Sequence, residues 1–124
     1  MNIVDSSGWL AYFADEGNAR HFLAPLQDTA SLVVPTITIY EVFKVVLRES
    51  NENKALQAAA AMQKGTVVDV TVRLAITASK LSLEYNLPMA DSIVLATAKA
   101  YNAVLWTQDA NFKNMPGVKY YLKK

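Results

Sequence analysis

The chain contains no cysteine, which excludes a disulfide framework, a thiolate zinc site, an iron–sulfur cluster and a cysteine nucleophile. A single histidine, His21, rules out any site with two histidine metal ligands, and a Ser-His-Asp triad would have to use that one residue. Glycine and proline are sparse, four of each in 124 residues. With 52% hydrophobic and 19% charged residues, the chain can bury a core and has no composition for long disordered stretches. Long apolar runs are missing as well. The most apolar stretch, Ile93 to Trp106, is interrupted by Lys99 and Asn102 and falls short of the roughly 18 residues a membrane span needs. The N-terminus, Met1-Asn2-Ile3-Val4-Asp5, has no basic segment followed by an apolar one, so no secretory signal is expected. The expectation is one cytoplasmic domain over residues 1–124 whose acid–base and metal chemistry falls to carboxylates.

Short β-branched runs alternate with segments of helical period, the pattern of an α/β domain with a mostly parallel sheet. Strands are expected at Asn2 to Asp5, Leu32 to Val34, Thr66 to Val70, Ala103 to Trp106 and Val118 to Leu122. Helices are expected near Gly8 to Phe13, Ala19 to Leu26, Ile37 to Ser50, Asn53 to Lys64, Thr71 to Tyr85 and Ser92 to Tyr101. Pro35 and Pro88 stand just ahead of helices and Gly65 closes one, as start and stop signals do. In such sheets, sites form beyond the carboxyl ends of the strands. Two acidic residues fall there: Asp5 ends the first strand, and Asp109 follows the fourth after Thr107-Gln108.

Each acidic candidate also has a structural reading. Asp5 is an N-cap type, but Ser6 or Ser7 would cap the next helix equally well, which leaves the aspartate surplus to that need. Glu41 shares a narrow charged strip with Lys44 and Arg48 on a helix apolar over most of its girth. The strip is either an exposed face laced by a Glu41–Lys44 pair or the lining of a groove. Asp91, after Pro88 and before an apolar helix, reads equally as a cap, and Asp109 as a turn residue.

All four fall at a strand end or in a helix that begins near the same edge of the sheet. Carboxylates brought together raise one another's pKa unless cations join them. Hard oxygen donors suit Mg²⁺ or Mn²⁺, which can activate water and stabilise phosphoryl charge in an in-line displacement. Setting the four aside leaves seven acidic residues against twelve basic ones. An acidic pocket on an otherwise basic body suits a polyanion such as nucleic acid, with Lys44, Arg48, Lys119, Lys123 and Lys124 as separate candidates for phosphate contacts.

The elements Ile3-Val4-Asp5-Ser6-Ser7, Tyr40-Glu41-Val42, Pro88-Met89-Ala90-Asp91-Ser92 and Thr107-Gln108-Asp109-Ala110-Asn111-Phe112, in this order, resemble the PIN domain family, especially the small VapC toxins of toxin–antitoxin modules. The resemblance implies a parallel five-stranded sheet in the order 3-2-1-4-5 flanked by helices. It also implies endoribonuclease activity dependent on Mg²⁺ or Mn²⁺, in which metal-activated water hydrolyses RNA phosphodiester bonds and a 3′ hydroxyl leaves. Asp5, Glu41, Asp91 and Asp109 would hold the metal, and Ser6, Ser7 and Thr107 would support them through hydrogen bonds. At Asn111 the chain departs from the many relatives that carry a further aspartate, which bears on whether one or two ions bind. A homodimer and a cognate VapB-like antitoxin are implied too. The alternative within the same fold is a non-enzymatic module that binds RNA or protein. A phosphatase-like domain fits poorly, because Ser7 stands where a DxD pattern needs its second aspartate.

Overall fold

The computed structural model describes residues 1–123. Five short strands and six helices alternate along the chain: β1 (Asn2–Val4), α1 (Ser6–Ala14), α2 (Ala19–Gln27), β2 (Val33–Pro35), α3 (Thr36–Glu49), α4 (Glu52–Met62), β3 (Thr66–Val68), α5 (Val72–Tyr85), α6 (Met89–Ala100), β4 (Val104–Thr107) and β5 (Val118–Tyr120). The expected elements are present, with shifted ends. Helix α1 begins at Ser6 because Asp5 caps it. Helix α6 begins at Met89 because Pro88 occupies the N-cap, and its fixed φ suits a helix start.

Every strand pairing is parallel: β1 with β4, β4 with β5, and β2 with β3. A single bridge, Asn2 to Leu32, joins the three-stranded and two-stranded parts. The expected order 3-2-1-4-5 is therefore followed, but as two sheets linked at one point and not as one continuous ladder. In a parallel ladder, alternate residues face opposite neighbours. Val104 donates to the Met1 carbonyl and Asp5 to the Trp106 carbonyl, so a strand as short as β1 has few groups left to face β2.

Alternation along the strands sends neighbouring side chains to opposite faces. Ile3 and Val33 pack with Leu81, Leu95 and Phe112, while Val4 and Val34 pack with Trp9, Phe22, Val42 and Met62. Helices α5 and α6 cover the first face, and α1 to α4 the second. Helix α3 is less enclosed than its apolar girth suggests. Only Thr38 and Val42 are fully buried in it, and Tyr40 and Leu47 are exposed.

The approach of α1 to β1 depends on one glycine. A Cβ on Gly8 would meet Val4 Cγ1 at 2.5 Å and the Phe22 ring at 2.9 Å. Gly8→Ala is expected to destabilise the fold by about 1–3 kcal/mol through overpacking, read as a lower urea midpoint at unchanged slope. A midpoint equal to that of the wild type would show that α1 can shift away from β1 freely.

Candidate active site

Asp5 follows the last residue of β1 and is 3% exposed. Its Oδ1 accepts from the Ser7 hydroxyl at 2.6 Å and from the Gly8 N–H at 3.1 Å, and its Oδ2 accepts from the Thr107 hydroxyl at 2.7 Å. The bond from Gly8 makes Asp5 the N-cap of α1. Ser6 and Ser7 lie inside the helix, so the cap and the candidate site use the same carboxylate and the aspartate is not surplus to capping. Burial pushes its pKa up to about 7 against these three hydrogen bonds, and the charge of Asp109 adds to the rise. An unburied carboxylate with such partners would move the other way.

Glu41, on α3, is half-buried. Burial raises its pKa first and the charges of Asp91 and Asp109 raise it further, while the Ser6 hydroxyl pulls it down. It does not pair with Lys44, whose ammonium lies 5.7 Å from the centre of the Tyr40 ring. Arg48 instead meets Glu49 at 3.4 Å, the one ion pair among the described residues. Asp91 lies in the first turn of α6 and is not its cap. Burial raises its pKa, Asp109 adds to the rise, and a hydrogen bond from Asn111 opposes it. Asp109 follows β4 and caps a short 3-10 turn by accepting from the Asn111 N–H at 2.9 Å. Its own N–H donates to the Thr107 hydroxyl at 2.9 Å.

The four carboxylates therefore lie toward one edge: the charge of Asp109 acts on Asp5, Glu41 and Asp91, that of Asp91 acts on Glu41, and the hydroxyls of Ser6, Ser7 and Thr107 lie among them. Among the described residues, no three histidine, aspartate or glutamate side chains stand close enough together to form a ready-made metal cage. Each carboxylate has a hydroxyl or amide partner of its own. The donor set nevertheless fits Mg²⁺ or Mn²⁺: it is all oxygen, three of its members have raised proton affinity, and a cation would relieve both repulsion and desolvation. Asn111, marked in the sequence only as a departure from a further aspartate, donates its amide to Asp91 Oδ2 at 2.9 Å. Gln108, not singled out in the sequence, donates its N–H to the Ser7 hydroxyl at 3.1 Å, and only its place beside Asp109 could have marked it.

In the metal-free protein, folded Asp5 keeps its proton up to about pH 7, whereas an unfolded aspartate releases it near pH 3.9. The native state therefore binds more protons across that window, and stability falls as pH rises through it, by up to about 1.4 kcal/mol per pH unit. With chelator present, the melting temperature should be lower at pH 8 than at pH 5, and Asp5→Asn should remove most of that difference. A wild-type protein more stable at pH 8 than at pH 5 would contradict this account of the buried carboxylate.

Comparison with known proteins places the fold in a family. The PIN domain model matches residues 3–118. No curated protein sequence matches the chain. Among solved structures, a toxin–antitoxin complex from Klebsiella pneumoniae is similar over 100% of both chains at 22% identity, with a TM-score of 0.83. VapC20 of Mycobacterium tuberculosis, described as a sarcin-ricin loop cleaving toxin, is similar over 94% of this chain and 95% of that one, at 17% identity and a TM-score of 0.78. The DNA-bound VapBC of Salmonella typhimurium is similar over 98% of each chain, at 15% identity and a TM-score of 0.74. With nearly its whole length matched and its parallel strands presenting acidic residues at their carboxyl ends, the chain belongs to the PIN domain family.

Proposed function

We propose that the protein is a cytoplasmic, metal-dependent endoribonuclease, the toxin of a toxin–antitoxin pair. The observation that carries this reading is the placement of four acidic residues at one edge of the parallel sheet, Asp5 and Asp109 after β1 and β4 and Glu41 and Asp91 in α3 and α6, with Asp5 and Asp109 tied through the Thr107 hydroxyl and Asp91 held by Asn111. These four would hold Mg²⁺ or Mn²⁺, which when bound neutralises phosphoryl charge and activates water for in-line displacement. Asp5 has hydrogen-bond partners on both oxygens, which fix the orientation of its carboxylate at the site. Glu41 and Asp91 are less buried and have raised proton affinity, which suits them to accept a proton from the attacking water.

RNA as the substrate is supported by the cleaving activity described for VapC20. Beside the carboxylates, an open groove of about 970 Å³ is lined by Ser6 and Ser7 and carries Arg48, Lys54 and Lys123 together with Glu16 and Glu49, the last paired with Arg48, so Lys54 and Lys123 are its candidates for phosphate contact. Of the other candidate phosphate contacts, Lys119 lies 4.4 Å over the Trp106 ring, and Lys124 lies outside the described residues. An antitoxin partner is supported by the toxin–antitoxin assemblies to which the fold is similar. No helix among the described residues is long and apolar enough to cross a membrane.

Asp5→Asn and Asp91→Asn should each reduce Mg²⁺-dependent cleavage of RNA by on the order of 100-fold or more while the protein stays folded. Each change removes one charge at nearly constant shape. Full activity of both purified variants would reject the site.

A homodimer is supported by two exposed apolar stripes. One, on α3, includes Tyr40 and Leu47; the other, on α5, comprises Val72, Ile76 and Leu83, with Leu83 88% exposed. Surfaces of this kind mark interfaces more often than free solvent boundaries. Sedimentation at micromolar concentration should show a dimer, and Leu83→Glu should shift it toward monomer. A wild-type protein that sediments only as monomer would remove this part of the reading.

A further inference from the structure

The link between α1 and α2 holds a polar side chain that neither helix uses. Asn18 is 2% exposed and occupies the N-cap position of α2, where its side chain makes no capping hydrogen bond. Its Nδ2 donates two hydrogen bonds, one to the Leu122 carbonyl at 2.8 Å and one to Gln108 Oε1 at 3.0 Å. Gln108, also buried, donates from Nε2 to the Ser7 carbonyl at 3.2 Å and from its main-chain N–H to Ser7 Oγ at 3.1 Å. Ser7 Oγ then donates to Asp5 Oδ1. Both ends of this relay are main-chain carbonyls, which only accept, so the orientation of each amide is forced. Asparagine supplies two N–H groups on one atom for two acceptors, whereas an ionised aspartate would set acceptor against acceptor.

Three segments distant in sequence meet at this amide. The chain after β5 is also held by the Tyr121 N–H, which donates to the Thr107 carbonyl at 2.9 Å. The Tyr121 ring stacks on His21 at 4.4 Å between centroids. His21 thus has a packing role, and the tail that supplies the Leu122 carbonyl is firmly placed.

We propose that Asn18, acting through Gln108, is a positioning residue of the site: it locks Ser7 and the start of the Asp109 loop in register with Asp5. Its effect on cleavage rests on the nuclease reading above, whereas its effect on the loop does not.

The test measures amide hydrogen exchange and RNA cleavage on the full chain for Asn18→Ala, Asn18→Asp, Gln108→Ala and the Asn18→Ala/Gln108→Ala double variant. Exchange at the Gln108 N–H should accelerate about tenfold or more in both Asn18 variants, with Leu95 in the α6 core unchanged. The cleavage kcat should fall about 10- to 100-fold with KM within about twofold. The double variant should be no slower than the slower single variant, because the two residues act as one unit. Unchanged exchange at Gln108 overturns the proposal, as do losses that multiply in the double variant. Should Asn18→Ala fail to fold, Gln108→Ala, which leaves the Asn18 bond to Leu122 in place, decides by its kcat and by the exchange of the Asp109 N–H. A wild-type protein that cleaves no RNA while its Asn18 variants loosen the loop would sink the nuclease reading and uphold the clamp. A folded Asn18→Ala protein that cleaves at the wild-type rate would do the reverse.

Discussion

A carboxylate buried at the end of the first strand is the constraint around which this molecule is arranged. Desolvation of Asp5 is unfavourable enough to carry its pKa to about 7 despite two hydroxyl donors and one main-chain donor. Those donors come from both sides of a long sequence gap: Ser7 and Gly8 begin α1, and Thr107 ends β4. Satisfying one side chain therefore fixes the start of a helix, the end of a neighbouring strand and the register between them. The same hydrogen bonds bring the Asp109 loop into place, because the Thr107 hydroxyl that donates to Asp5 accepts from the Asp109 N–H.

Stability and proposed function pull on this carboxylate in opposite directions. A neutral side chain would suit the buried position better, and a charged one suits a cation. The neighbouring acids show the same tension: Glu41 and Asp91 are raised by burial and by like charge. Asn111 relieves part of it at Asp91 with a neutral amide, so one acidic position of the cluster is held without any ion. The left-handed non-glycine residues, Asp15, Asn86, Asn102 and Asn114, all lie outside the carboxylate group, so the tension there is one of charge and desolvation.

The parallel sheet is what makes the arrangement possible. Since all strands run the same way, β1 and β4 deliver their C-terminal ends to one edge, and α3 and α6 start from that edge. Residues 5, 41, 91 and 109, spread over most of the chain, converge without any long loop. Helix α3 carries Glu41 toward that edge, while its exposed Tyr40 and Leu47 are left to another surface. Its groove-side residues, Val45 and Arg48, continue the face that begins at Ser6 and Ser7.

Much of this was legible in the linear chain. Hydrophobic periodicity and the prolines ahead of α3 and α6 marked the alternation of strand and helix, because those signals are local. The absence of cysteine and the single histidine directed attention to acidic residues, and the position of Asp5 and Asp109 after strands placed them at a sheet edge. Other features depended on atoms brought together only by folding. Whether Asp5 was a cap or a candidate site residue had no separate answer in sequence, since the carboxylate that caps α1 also lies among the candidate site's acids. Of the two readings of the charged strip on α3, the Glu41–Lys44 pair did not form: Lys44 lies over Tyr40 instead, a choice made by rotamers and burial. Pairing between β1 and β2 shrank to one bridge. The roles of Asn18 and Gln108 were invisible, because an asparagine in a link and a glutamine beside an aspartate carry no periodic signal. Sequence determined the residue types and the elements that bear them; tertiary structure decided which polar groups lost water, and desolvation, a property of the surroundings and not of the residue, set their protonation and their partners.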